Sequence, residues 1–138
     1  METTMKSNRL KRVFYPASFF AVLSAIIYKA DTANYNFAFH VVGMIPYGDK
    51  IAHAILYGIM VYLLNYGFNG KRWIRIEIGS LIVFGFALIE EVSQFYFPSR
   101  TFDWADIAAD VVGVIIFTVL FRMFDRRAKD DETEKLGY

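Results

Sequence analysis

The sequence predicts an all-α integral membrane protein, a four-helix transmembrane bundle with both termini on the cytoplasmic side. Three observations predict it. Of 138 residues, 56% are hydrophobic and 21% charged, an apolar share that a water-soluble domain of this length seldom carries. The apolar residues gather in four runs, each suited to a hydrocarbon core about 30 Å thick that needs roughly 20 helical residues or somewhat fewer. Twelve of the fifteen Lys and Arg residues fall in segments that one face of a membrane would share.

Residues 1–12 read as a cytoplasmic tail carrying Lys6, Arg9, Lys11 and Arg12. Span one, Val13 to Tyr28, contains no charge. A basic stretch before an apolar run also describes a cleaved leader, but the run is long and Lys29-Ala30-Asp31 lacks a small-x-small cleavage site, so a retained anchor is expected. From Lys29 to Lys50 the chain is too short to cross again, and its Phe37 to Val42 stretch is expected at the outer interface as a lid. Span two, Ile51 to Phe68, has His53 as its one ionisable residue apart from tyrosines. A short basic loop around Asn69 to Arg75 follows, with Lys71, Arg72 and Arg75.

Span three opens near Trp73 or Ile76 and is strongly apolar from Ile78 to Ile89, where Glu90, Glu91 and Gln94 interrupt it. A loop from Pro98 to Asp106 leads into span four, Ile107 to Phe124, with Asp110 one turn inside its start. Residues 13–124 form one domain, and the charged segment 125–138, with Arg126, Arg127, Lys129 and Lys135, reads as a disordered cytoplasmic tail. A soluble bundle would show polar residues every three or four positions along one face, and spans one, two and the apolar part of three do not. Short loops make spans two, three and four antiparallel neighbours.

Lys and Arg near helix ends are retained on the cytoplasmic side, so the outer side keeps Lys29, Lys50 and Arg100. Tyr28, Tyr35, Tyr47, Tyr96 and Trp104 are expected in an outer aromatic belt, and Tyr15, Tyr66 and Trp73 in an inner one. A formal net charge of +1 supplies no basic field for nucleic acid. The absence of cysteine removes disulfides, thiolate metal sites and cysteine nucleophiles.

The informative residues are polar and lie toward the outer ends of the spans. Asp49 and His53 are four apart at the start of span two, and Glu91 and Gln94 are three apart near the end of span three. Asp106, Asp110 and Gly113 stand at i, i+4 and i+7 on span four, beside a small-residue stripe of Ala105, Ala109 and Gly113 that would admit a close neighbour. Facing lipid would be costly for such groups, so they are expected to face one another or a wet cavity. His53, Glu91 and Asp110 are expected to converge. Two adjacent buried anions are costly, so Glu90 or Glu91 pairs with Arg100 or His53 or keeps a proton. Asp106 suits a helix N-terminus, whereas Asp110 lies too deep for a cap.

Asp49-Lys50-x-x-His53, then Glu91-x-x-Gln94, then Arg100-Thr101-Phe102-Asp103-x-x-Asp106-x-x-x-Asp110-x-x-Gly113, resembles the ordered motif set of the VanZ-like membrane proteins. That family usually carries Asn where this chain has Asp110. The resemblance implies a multi-pass protein of the bacterial plasma membrane, in a cell-envelope context associated with resistance to glycopeptides such as teicoplanin. The bilayer is then its first partner, with a lipid-linked cell-wall precursor or the glycopeptide as ligand.

Two function classes are open at this level. In one, an outward pocket of Asp49, Lys50, His53, Glu91, Gln94, Arg100, Asp106 and Asp110 binds a lipid or cell-wall precursor head group, with Arg100 and Lys50 on its phosphate. In the other, the same groups make an intramembrane enzyme acting on a lipid-linked substrate. Its chemistry would be acid–base through Glu91 and His53, or metal-assisted through Asp49, Glu91, Asp106 and Asp110 with His53. The catalytic candidates are His53, Glu91 and Asp110. The sequence assigns no metal site or cofactor, and it contains no His-Glu-x-x-His, Gly-x-Ser-x-Gly or P-loop pattern.

Overall fold

The computed structural model describes residues 2–34 and 37–135. The chain runs through α1 (Glu2–Asp31), α2 (Phe37–Met44), α3 (Gly48–Gly67), β1 (Arg72–Trp73), β2 (Ile76–Glu77), α4 (Ile78–Ser93) and α5 (Trp104–Lys135). A 3-10 turn over Gln94–Tyr96 joins α4 to the last loop. Among the described residues the protein is all-α apart from the two-residue strands of an antiparallel hairpin, which pairs Arg72 with Glu77 and Trp73 with Ile76.

Helix α3 is central and packs against α1, α2, α4 and α5, while α4 also packs against α5. Short connections after α3 and α4 make these helices antiparallel neighbours, as expected. Leu23, Tyr57, Met60, Val61, Val83 and Ala87 form the buried core. The α3–α5 contact is close because of glycine: a Cβ on Gly113 would collide with the Ala54 carbonyl oxygen, and one on Gly58 with the Phe117 ring.

Away from this core the helices turn apolar side chains outward. Val22, Ile55, Ile89, Val112 and Ile115 are each about half exposed or more. Water would penalise such a surface, whereas a bilayer solvates it. Among the described residues, three helices are long and apolar enough to cross a membrane: Ser7–Asp31, Ile78–Tyr96 and Trp104–Ala128. The sequence led us to expect four. Helix α3 has the length but is not one of the three, because Asp49, Lys50, His53 and Asn65 dilute its apolar content. A helix enclosed by its neighbours can carry polar residues that a lipid-facing one cannot.

The basic loop is more ordered than its composition suggests. Ile74 and Arg75 turn the hairpin with φ of 55° and 101°, conformations usually left to Gly or Asn. Glu77, fully buried, ties this end together. It accepts Arg72 Nε at 2.8 Å and Arg122 Nε and Nη2 at 2.7 Å each, linking the hairpin to α5. Burial alone would raise the Glu77 carboxyl, but the bonds from Arg122 and Arg72 outweigh it and hold the group below the usual glutamate range.

Helix α5 runs on past Phe124 to Lys135, through most of the segment 125–138 expected as a charged tail, where Arg, Ala, Lys and Glu favour a helix; residues 136–138 lie outside the described residues. The Phe37 to Val42 lid is the short helix α2, seated on α3. Tyr35, assigned to the outer aromatic belt, lies outside the described residues.

Candidate functional site

The antiparallel packing brings the C-terminal ends of α1 and α4 together with the N-terminal ends of α3 and α5. Every polar motif singled out in the sequence falls at this end. Spacing then sets direction: Asp49 and His53 lie one turn apart on α3, as do Asp106 and Asp110 on α5.

At the mouth, Lys50 gathers acids. Its Nζ lies 2.9 Å from Asp49 Oδ2, 2.6 Å from Asp103 Oδ2 and 2.7 Å from Asp106 Oδ1. Asp103 also accepts the Ala105 N–H at 2.9 Å, so it, not Asp106, supplies the side-chain cap of α5. These bonds, that from Lys50 foremost, hold the Asp103 carboxyl below its ordinary range.

One turn deeper, His53 Nδ1 stands 3.1 Å from Asp110 Oδ1 and 3.8 Å from Glu91 Oε1. The expected convergence of His53, Glu91 and Asp110 is therefore present. Glu91 and Asp110 are almost completely buried, and among the described residues Glu91 Oε2 and Asp110 Oδ2 have no hydrogen-bond partner. Gln94 Nε2 donates to Glu91 Oε1 at 2.8 Å. One nitrogen of His53 and one carboxylate oxygen each of Glu91 and Asp106 lie within 4.8 Å of one another.

Glu90 serves a third group. It accepts Arg100 Nη2 at 3.1 Å and Tyr57 Oη at 3.4 Å, while Arg100 Nη1 lies 3.8 Å from Asp31 Oδ1. Ser99 Oγ donates to the Ala30 and Asp31 carbonyls at 3.1 and 2.6 Å, fastening the Arg100 loop to the end of α1. The two glutamates are thus divided, Glu90 toward Arg100 and Glu91 toward His53.

Beside these groups is a cavity of about 410 Å³ between α1, α2, α3 and the Arg100 loop. Leu23, Ile26, Ile27, Leu56, Phe39 and Val42 line its apolar side, and Asp49, His53, Glu90, Gln94, Arg100 and Asp106 its polar side. Of the eight residues predicted from sequence, Lys50, Glu91 and Asp110 do not line it. Lys50 is turned to its three carboxylates, and Glu91 and Asp110 sit behind His53, where the α3–α5 approach buries them. Sequence reasoning also missed Tyr57, Asp31 and Ser99. Only Tyr57 left a signal, standing one turn after His53 on the same face.

A second polar set lies toward the opposite end of the helices. Asn65 Nδ2 donates to Ser80 Oγ at 2.9 Å, Ser80 N donates to Asn65 Oδ1 at 3.1 Å, and Ser80 Oγ meets Thr118 Oγ1 at 2.8 Å. Its members satisfy one another and bind α3, α4 and α5 together, a structural role.

Comparison with curated proteins, and separately with solved structures, finds no match to this chain. A family model described as VanZ/LLP1 matches residues 2–125, a stretch that includes α1 to α4, the whole polar end and most of α5. With its ordered motifs meeting at one site and the match covering nearly its full length, the chain belongs to the VanZ/LLP1 family.

Proposed function

We propose that this protein crosses the bacterial plasma membrane four times, through α1, α3, α4 and α5, with both termini cytoplasmic. Its outward cavity would take the polar head of a lipid or lipid-linked cell-wall precursor. The cellular effect is altered access of teicoplanin-type glycopeptides to the surface. The observation that carries this reading is the two-sided cavity. A wall of Leu23, Ile26, Ile27 and Leu56 suits an acyl or prenyl chain, and the opposed wall of His53, Gln94 and Arg100 suits a polar head.

Arg100 is the anion ligand in this reading. A guanidinium has five donors, and Glu90 accepts one of them at 3.1 Å, so a phosphate can share the fork. Lys50 is reassigned: with three carboxylates within 2.9 Å it organises the mouth and does not reach for the head group. The charge distribution supports the four-pass topology, because the basic hairpin and tails lie opposite the acidic end.

The test is glycopeptide susceptibility of cells expressing Arg100→Lys and Arg100→Ala at matched membrane levels. Both variants should lose the wild-type phenotype, since lysine keeps the charge but loses the planar fork. Wild-type behaviour in both would remove Arg100 from the site. A second reading has one observation in its favour: His53 lines the cavity with Asp110 behind it, the order of a base and its orienting carboxylate. Turnover of a lipid phosphate ester by purified protein, abolished in His53→Ala, would move the assignment to an intramembrane enzyme.

A further inference from the structure

Charge at the polar end does not balance. Asp49, Asp103 and Asp106 share one ammonium, that of Lys50. Glu90 and Asp31 share Arg100, leaving Glu91 and Asp110 to share the imidazole of His53. Among the described contacts, seven carboxylates thus face three basic side chains. Anions buried without compensation are expensive, and such sites are paired or hold a metal.

We propose that His53, Glu91 and Asp106 bind one divalent cation, with Asp110 as the positioning residue that orients the His53 ring. Three observations meet here. The donor atoms of the three residues lie within 4.8 Å of one another, close enough for small side-chain movements to enclose an ion with ligands at about 2.0–2.2 Å. Glu91, wholly buried and oriented by Gln94 through Oε1, has Oε2 without a hydrogen-bond partner among the described residues, so the carboxylate is not saturated. Asp110, 3.1 Å from His53 Nδ1, occupies the place of the carboxylate that commonly stands behind a metal-binding histidine.

The three ligands come from α3, α4 and α5, so a bound cation would tie the central helices at their polar ends. One imidazole with two carboxylates suits Zn²⁺ or Mn²⁺ better than Ca²⁺, which prefers six or more oxygens. Asp106 is the adaptable member. Lys50 holds its Oδ1 at 2.7 Å and can turn to Asp49 and Asp103 when the ion arrives. Asp106 and His53 line the cavity, which gives the ion a way in. The proposal does not depend on the head-group reading, and its test uses metal alone.

Full-length protein purified in detergent, stripped with chelator and dialysed against Zn²⁺ or Mn²⁺, should take up one equivalent per chain. His53→Ala and Glu91→Gln should each weaken binding by more than about tenfold, and Asp110→Asn by about 10–100-fold, the usual effect of losing an outer partner. Asp130→Asn, distant on α5, should bind as wild type. If Glu91→Gln does not fold, His53→Ala decides, because His53 is only partly buried. No stoichiometric uptake of either ion, or equal affinity in wild type and His53→Ala, would overturn the proposal. Metal uptake without lipid retention would support the cation site and count against the head-group reading alone.

Discussion

His53 Nδ1 and Asp110 Oδ1 are 3.1 Å apart, joining α3 to α5 one turn inside the polar end. The contact depends on a glycine that neither residue touches in sequence. Gly113 lies one turn beyond Asp110 and lets the α5 backbone approach the Ala54 carbonyl, one residue after His53. Close packing and the site's geometry therefore have one cause.

Gly113→Ala should accordingly separate α3 from α5. Overpacking costs about 1–3 kcal/mol, so the melting temperature in detergent should fall by several degrees. The same variant should loosen His53 from Asp110. Unchanged melting would show that the helices yield without strain.

Glu77 makes the opposite end sensitive to acid. Its carboxyl is held below its ordinary value of 4.5, so its contribution to stability is fully present above that pH and is lost as the pH falls through the lowered folded-state value. At pH 7, Glu77→Gln should destabilise by about 1.5–3 kcal/mol, the worth of hydrogen bonds to charged groups. The gap between wild type and variant should narrow below pH 4.5, which thermal unfolding across a pH series would measure. A constant gap would contradict the ionised Glu77 with its two arginines.

Asn65→Leu should leave the Ser80 N–H without its partner, while the Ser80 hydroxyl keeps Thr118. An unsatisfied buried polar group costs about 1–3 kcal/mol. Unfolding of the variant in mild detergent should register that loss, while glycopeptide susceptibility at matched membrane levels stays as in wild type. A selective change in susceptibility would give this set a functional role.

Membrane orientation has its own check. Cysteine at Pro98, on the exposed α4–α5 loop, should react with an impermeant thiol reagent in intact cells, and cysteine at Lys71, before the hairpin, should react only after permeabilisation. Reversed labelling would invert the topology.

The helices were legible because hydropathy and charge act along the chain. Spans one, three and four correspond to α1, α4 and α5, and the polar motifs at i, i+3 and i+4 lie together at one end of the helices. Other features depend on contacts that the local chain does not encode. Ile74-Arg75 is not a turn pair, and the hairpin exists because Glu77 is held by two arginines, one of them forty-five residues away. Lys50 and Arg100 read equally as phosphate ligands. Only the packing reveals that Lys50 is taken by three carboxylates while Arg100 faces the cavity. Hydropathy along the chain marks Ile51 to Phe68 as a span like the others, whereas the place of α3 among four other helices is a property of the whole fold.

The central claim is that the cavity beside α3 holds an amphiphile by its head group through Arg100. Native mass spectrometry of the full chain released from bacterial membrane extracts tests it most directly, comparing wild type with Arg100→Ala. The account predicts about one retained phospholipid or lipid-linked precursor per wild-type chain and at least a tenfold loss of occupancy in the variant. Equal occupancy in the two proteins, or no retained lipid in wild type, would contradict it.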